Sequence, residues 1–275
     1  MAANNSTLGD CCTTGTLHKG TTTGKVETVA GLPTYVVGEK SDKVVVMVSD
    51  VFGWELTNTR LLADDYAKHG FYVLLPDFFF GDSLDAKVER MLSPPESAPP
   101  RGFFQAISQT FTAASKGGPW LFNHRDAVSK PIIDKFFTAL RQDLPTAKIG
   151  AVGFCWGGRH VVLLTHADSS VQVDCVVACH PSMLSVPGDI QKVTKPLSIQ
   201  VGDKDQMVRM SVKQADQARE TIEQKGIAGE VKVYPGQVHG FACRGDLDTA
   251  EIKEGKEQCT KATVDWLSKY LTVKA

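Results

Sequence analysis

The sequence predicts an α/β fold: a mostly parallel central sheet with helices on both faces. Three observations carry this. Val44–Val45–Val46–Met47–Val48 and Phe71–Leu75 are continuously apolar, as strands buried on both faces of a parallel sheet must be. From residue 148 onward, short apolar runs alternate with helical patterns, which is the rhythm of βαβ units. Polar residues with chemistry to offer stand directly after those runs, namely Asp50, Asp77, Cys155, His180, Asp203 with Asp205, and His239. In sheets of this kind ligands collect beyond the carboxyl ends of the strands.

Taken in order, residues 1 to about 25 are rich in Thr, Gly and Asn and read as an irregular N-terminal arm. Glu27–Val37 alternates apolar and polar positions and reads as an edge hairpin. Lys43–Ser49 is the first buried strand. Thr59–His69 has helical spacing and stops at Gly70, a usual residue just past a helix end. Phe71–Leu75 is the next strand. The prolines within Ser93–Arg101 forbid regular helix or central strand there. Residues of about 82–125 are therefore expected to form an excursion over the sheet, bracketed by helices at Asp85–Leu92 and Phe103–Ser115. Pro131–Leu140 reads as an amphipathic helix opened by its proline. Strands at Ile149–Phe154, Cys175–Ala178, Leu197–Val201 and Val231–Tyr234 then alternate with helices at Gly158–Thr165, Ser211–Lys225 and Ala250–Leu271. No repeat or composition break divides residues 26–275, which are expected to form a single domain.

Composition narrows the class. With 30 basic and 31 acidic residues the net charge is −1, so nothing favours nucleic acid or an anionic membrane, both of which draw on clustered positive charge. No apolar run approaches the roughly 20 residues that span a bilayer, and Met1–Gly15 lacks the pattern of a secretory signal. Seven scattered cysteines argue against a disulfide framework and for a reducing compartment, so a cytoplasmic protein is expected. Cys11–Cys12 has no ligand-spaced partner and reads as part of the arm.

The most informative stretch is Gly150–Ala151–Val152–Gly153–Phe154–Cys155–Trp156–Gly157–Gly158. An apolar strand, a reactive side chain between glycines and an immediate helix make a nucleophile elbow. Such a turn crowds the backbone, which the glycines relieve. Asp205, in the turn after the strand ending at Val201, is the candidate acid, and Asp203 caps that turn. His239, just past the last strand, is the candidate base. His180, at another strand end, competes with it and otherwise reads as a pocket wall. The order Cys155, Asp205, His239 is the nucleophile–acid–histidine order of α/β-hydrolases. Cys175 and Cys179 read as small core residues, and His18, His69, His124, His160 and His166 as surface positions.

These residues, together with Ser49–Asp50–Val51–Phe52–Gly53 and Val238–His239–Gly240–Phe241, resemble the dienelactone hydrolase (carboxymethylenebutenolidase) family, in its fungal-type branch. The likeness runs from about Val26 to Leu271 and implies the α/β-hydrolase fold. It also implies Cys155 as nucleophile, His239 as base, Asp205 as orienting acid, and an oxyanion hole of the Trp156 and Val51 N–H groups. Asp50 stands where the family carries a glutamate that holds the resting thiol, so the resemblance gives it a thiol-regulating part, with a side chain one methylene shorter. The family's two substrate arginines are matched less well. Phe78–Phe79–Phe80 occupies one position; Arg244 falls one residue from the other, and Arg101 or Arg125 offers a substitute for the first.

The expected activity is hydrolysis of small lactones or carboxylic esters through a Cys-His-Asp triad and an acyl-enzyme, without metal or organic cofactor. Trp54, Phe78, Trp120, Trp156, His180, Phe241 and Arg244 are the candidate pocket residues. An acyl-thioester hydrolase or acyltransferase on the same triad is the alternative within enzymes, and a small-molecule binding protein is the alternative outside them. The expected partner is a small lactone or ester, and the chain a monomer or homodimer.

Overall fold

A computed structural model describes residues 17–84, 117–171, 173–205 and 210–272. The helices expected at 85–92 and 103–115, most of the excursion, Arg101 and most of the arm lie outside the described residues. An eight-stranded sheet runs through the molecule in the order β1-β2-β4-β3-β5-β6-β7-β8. Its strands are β1 Lys25–Val29, β2 Leu32–Val37, β3 Lys43–Val48, β4 Tyr72–Pro76, β5 Lys148–Phe154, β6 Cys175–Cys179, β7 Leu197–Gly202 and β8 Gly229–Tyr234. β1 and β2 pair antiparallel, and β2 pairs antiparallel with β4; every pairing from β4 to β8 is parallel.

Alternate residues of the parallel strands feed two cores. On one face Val44, Val46, Leu74, Ile149, Ala151, Val176 and Ile199 pack beneath helices α2 (Asp126–Asp143), α3 (Trp156–Leu163) and α5 (Val212–Lys225). On the other, Val45, Met47, Val73, Leu75, Val152, Val177 and Cys179 meet α1 (Thr57–Ala67) and α7 (Ala250–Tyr270). Two-sided burial is why the strands β3 to β6 are apolar along almost their whole length. Short α4 (Gly188–Gln191) and α6 (Phe241–Arg244), with a helical segment over residues 117–123, complete the described helices.

The helices follow local chemistry. Ser211 and Gln214 form a reciprocal capping box at the start of α5, and Gly226, with φ 63°, ends it. Ile133, Phe136, Phe137 and Leu140 of α2 are buried at i, i+3, i+4 and i+7, each contributing about 1.5–3 kcal/mol. One expectation needs correction here. Pro131 lies inside α2, not at its start. It gives up one backbone hydrogen bond near the N-terminal end, and the burial of the four residues that follow outweighs that loss. α3 likewise begins at Trp156, directly after the elbow, rather than at Gly158.

A second correction concerns the histidines. His124, His160 and His166 are buried, and only His69 of the five is exposed. His160 packs against Trp156 with ring centroids 4.0 Å apart, and burial lowers its pKa to about 4. Helical periodicity within one segment carries no sign of the second layer of side chains that covers these positions.

The chain leaves β3 for β4 on one side and later returns to β5 on the other. The crevice between the carboxyl ends of β3 and β5 is therefore a topological switch point, the usual place for a ligand in an open α/β sheet.

Candidate active site

The elbow is built as the spacing demands. Cys155 has φ 52° and ψ −112°, outside the comfortable regions for a residue with a Cβ. The glycines around it are there for space. A Cβ on Gly153 would run into the Gly157 carbonyl, and one on Gly157 into the Val48 carbonyl of the neighbouring strand. Strain of this kind persists where the surroundings over-determine the backbone. Here the Cys155 N–H donates to the Cys179 carbonyl at 3.1 Å, and the Cys155 carbonyl accepts from Gly158 and Ser182, each at 3.0 Å.

Asp205 and His239 reach the same end of the sheet from β7 and β8. Their two loops are docked on one another: Lys204 N–H donates to the Gln237 carbonyl at 3.0 Å and Asp203 N–H to that of Tyr234 at 3.1 Å. Gly202 makes this approach possible, since a Cβ there would strike the Gln237 carbonyl. His239 Nδ1 lies 2.7 Å from Asp205 Oδ2, with both side chains wholly buried. That bond leaves Nε2 without an oxygen or nitrogen partner among the described residues. Cys155 is close enough to act on the ring through charge and hydrogen bonding. Burial pulls the imidazole down, but Cys155 and then Asp205 outweigh it, and His239 stands well above its ordinary pKa.

The Trp156 N–H opens α3 and the Val51 N–H follows β3. Neither is spent on a backbone carbonyl among the described residues. The first also lies at the positive end of a helix dipole.

Asp50, at the end of β3, is fully buried and engaged. Oδ2 accepts from Arg244 Nε at 2.8 Å and from the Cys243 thiol at 3.6 Å; Oδ1 accepts from the Phe52 N–H at 3.0 Å. Burial pushes its carboxyl upward, while the Arg244 guanidinium pulls against it. Arg244 itself is wholly buried and stacks over Phe52 at 4.8 Å. It fits because Gly240, at φ 81°, leaves the space its guanidinium fills. The structure therefore gives Arg244 a carboxylate of its own beneath the site.

The remaining sequence candidates scatter. Trp54 packs under Arg60 of α1 at 4.7 Å, and Phe78 lies edge-on to Phe136 in the core. Phe241 packs beside Tyr234 and His180. His180 is wholly buried, 4.9 Å from the His239 ring and 3.9 Å from the Cys243 sulfur. Burial first, then His239 and Arg244, hold it well below its ordinary pKa, so it is neutral. None of these four, nor Arg244, lines a cavity of about 490 Å³ that opens beside the elbow between Leu121, His124, Arg125, Trp156, Arg159 and Met183. His124 and Trp156 of its lining belong to an aromatic cluster with Phe79 and Trp120 behind them, Phe79 4.8 Å from Trp156 and Trp120 stacked on His124 at 4.3 Å.

Two residues in contact with the centre were not among the candidates: Ser182, whose Oγ is 3.1 Å from Cys155 Sγ, and Cys243. Ser182 had one available signal, its place just past a strand end. Cys243 had none, because α6 is a single turn without a pattern.

Comparison with known proteins decides the family. Residues 32–271 match the dienelactone hydrolase family. The chain belongs to that family. It is 28% identical over 264 residues to hydrolase pyvD of Aspergillus violaceofuscus, covering 95% of this chain and 96% of that one. It is 29% identical over 233 residues to the carboxymethylenebutenolidase homolog of Mus musculus, covering 83% of each. The crystal structure of dienelactone hydrolase from Anabaena variabilis superposes with a TM-score of 0.55 at 14% identity, covering 93% of this chain and 100% of the other. At that identity the superposition speaks for the α/β-hydrolase fold alone. Membership of the family makes the chain a hydrolase and supports ester or lactone hydrolysis. No helix among the described residues is long and apolar enough to cross a membrane.

Proposed function

We propose that this protein hydrolyses small lactones or carboxylic esters by way of a Cys155–His239–Asp205 triad and an acyl-enzyme. The observation that carries the reading is the 2.7 Å His239–Asp205 bond, which turns the other imidazole nitrogen toward a thiol on a strained elbow. Asp205 fixes the tautomer of His239 and supports the positive charge that forms on it. With the Cys155 proton held on His239, the sulfur attacks the acyl carbon. The carbonyl oxygen gains the negative charge, which the Trp156 and Val51 N–H groups stabilise. Collapse expels the alkoxide, which takes the proton from His239 and leaves as the alcohol. In a lactone that alcohol stays joined to the acyl group. Water, deprotonated by His239, then attacks the thioester and releases the acid with the thiol restored.

The cavity beside Trp156 is lined by none of Cys155, Asp205 and His239, so the substrate class is supported by family membership and not by the shape of that cavity. Metal and organic cofactors play no part in this scheme. We place the protein in the cytoplasm, a reading supported by the five described cysteines, all thiols and none in a disulfide.

The test is turnover of dienelactone, aryl esters and acyl thioesters by the parent and by Cys155→Ala. The variant is expected to fall to the uncatalysed background on whichever substrate the parent accepts. Unchanged turnover in the variant rejects the cysteine mechanism. A parent that prefers thioesters moves the assignment to the acyl-thioester class.

A further inference from the structure

The loop between β6 and α4 contains more construction than a connection needs. His180 and Met183 hold left-handed backbone at φ 38° and 56° without being glycine, conformations that cost of order 1 kcal/mol or more each. The loop is tied down on several sides. His180 N–H donates to the Gln200 carbonyl at 2.6 Å, and Pro181 packs so closely on α3 that only a glycine fits at position 158. Between the two strained residues sits Ser182, 2% exposed. Its N–H donates to the Cys155 carbonyl at 3.0 Å, and its Oγ lies 3.1 Å from Cys155 Sγ. One residue thus holds the nucleophile by backbone and by side chain, which fixes the cysteine's rotamer as well as its main chain.

We propose that Ser182 is a hydrogen-bond donor to the Cys155 thiolate, holding the resting sulfur as an anion paired with the His239 imidazolium. The inference rests on Cys155 being the nucleophile. A hydroxyl carries its own proton and can give it to a sulfur anion without losing it, which a carboxylate cannot do. Bonds to a charged acceptor are about twice as strong as neutral ones, and burial keeps water from competing. Asp50, the other acidic-side neighbour, has both oxygens engaged by Arg244 and the Phe52 N–H. The division of labour follows: Arg244 occupies the carboxylate, and Ser182 serves the sulfur. As the sulfur attacks, its charge passes to the carbonyl oxygen and the Ser182 bond weakens. Ser182 therefore raises the fraction of thiolate at the cost of some nucleophilicity per thiolate.

The experiment follows Cys155 ionisation in the full chain, by thiolate ultraviolet absorbance against a Cys155→Ala reference. It also follows the pH dependence of iodoacetamide alkylation, assigned to Cys155 by peptide mass. Ser182→Ala is expected to raise the midpoint of both by about one pH unit or more. Alkylation below the midpoint should slow about tenfold, and the acid limb of the kcat/KM profile should move with it. Ser182→Thr, which restores the hydroxyl, is expected to bring the midpoint back. An unmoved midpoint in Ser182→Ala overturns the inference. So does a Thr variant shifted as far as the Ala variant, since that is packing rather than a hydrogen bond. Ser182→Gly removes the same hydroxyl with less volume and stands in if the Ala variant does not fold. A parent whose Cys155 neither ionises nor alkylates in the range where the protein is folded also overturns the inference, because its resting sulfur is then a neutral thiol; the nucleophile itself is tested separately, by turnover in Cys155→Ala.

Discussion

Two buried thiols lie at this site, and their neighbours give them opposite characters. Cys155, 1% exposed, faces an imidazole raised well above its ordinary pKa and a serine hydroxyl. Cys243, also 1% exposed, faces the Asp50 carboxylate and the neutral ring of His180. Burial pushes the Cys243 thiol well above its usual range, and Asp50 adds to this against the pull of Arg244. One sulfur has partners that can donate protons to an anion; the other donates its own proton to an anion. Burial alone does not make a cysteine either reactive or inert. The partners decide, because a thiolate in a low-dielectric site survives only where donors or cations replace its lost water.

That contrast can be broken at several points. The largest effect is expected from Asp205→Asn, which keeps the shape but lets His239 take the wrong tautomer. kcat should fall by about 10³–10⁴-fold, and Cys243→Ala in the same assay should change it little. A loss of similar size for both variants ends the distinction between the two thiols. Arg244→Met comes next. It leaves Asp50 buried without its cation, at a cost of about 3–5 kcal/mol in unfolding free energy, measured by denaturant titration. Adding Asp50→Asn to it should restore part of that loss, since the stranded charge is then gone.

His160 shows burial acting on a base instead of an acid. Its folded pKa of about 4 lies below its ordinary value of 6.5, so the unfolded chain binds a proton that the folded one refuses. Stability is therefore expected to fall as pH drops from about 6.5 to about 4, by on the order of 3 kcal/mol from this group. His160→Gln should flatten the slope in that window. The smallest effect belongs to Cys243→Ala on stability, about 1–2 kcal/mol from the lost sulfur and the space it leaves. Iodoacetamide labelling should be unchanged in that variant, because the proposed mechanism makes Cys155 the reactive sulfur.

Much of the fold was legible in the residues themselves. The apolar runs of β3 to β6 announce strands buried on both faces, whereas β7 also buries Ser198 and Gln200, each satisfied by a side-chain hydrogen bond. Gly153–Cys155–Gly157 announces the elbow, because only glycine tolerates the contacts beside it. Chain order then links Asp205 and His239 to Cys155. Helix limits were less legible: Pro131 suggested a start that the burial of Phe136 and Phe137 moved upstream to Asp126.

The sequence by itself determined which side chains stand at the carboxyl ends of the strands, since local apolar pattern and turn chemistry fix where each strand stops. Only the tertiary structure decided what those side chains meet. Arg244 is 194 residues from Asp50, Cys243 is 193 from it, and Ser182 is 27 from Cys155. Such pairings are set by strand order and by the docking of one loop on another, and no periodicity records them. So the thiol on the elbow could be read from the chain, while the hydroxyl beside it and the guanidinium that occupies its neighbouring carboxylate could be seen only once the sheet had brought them together.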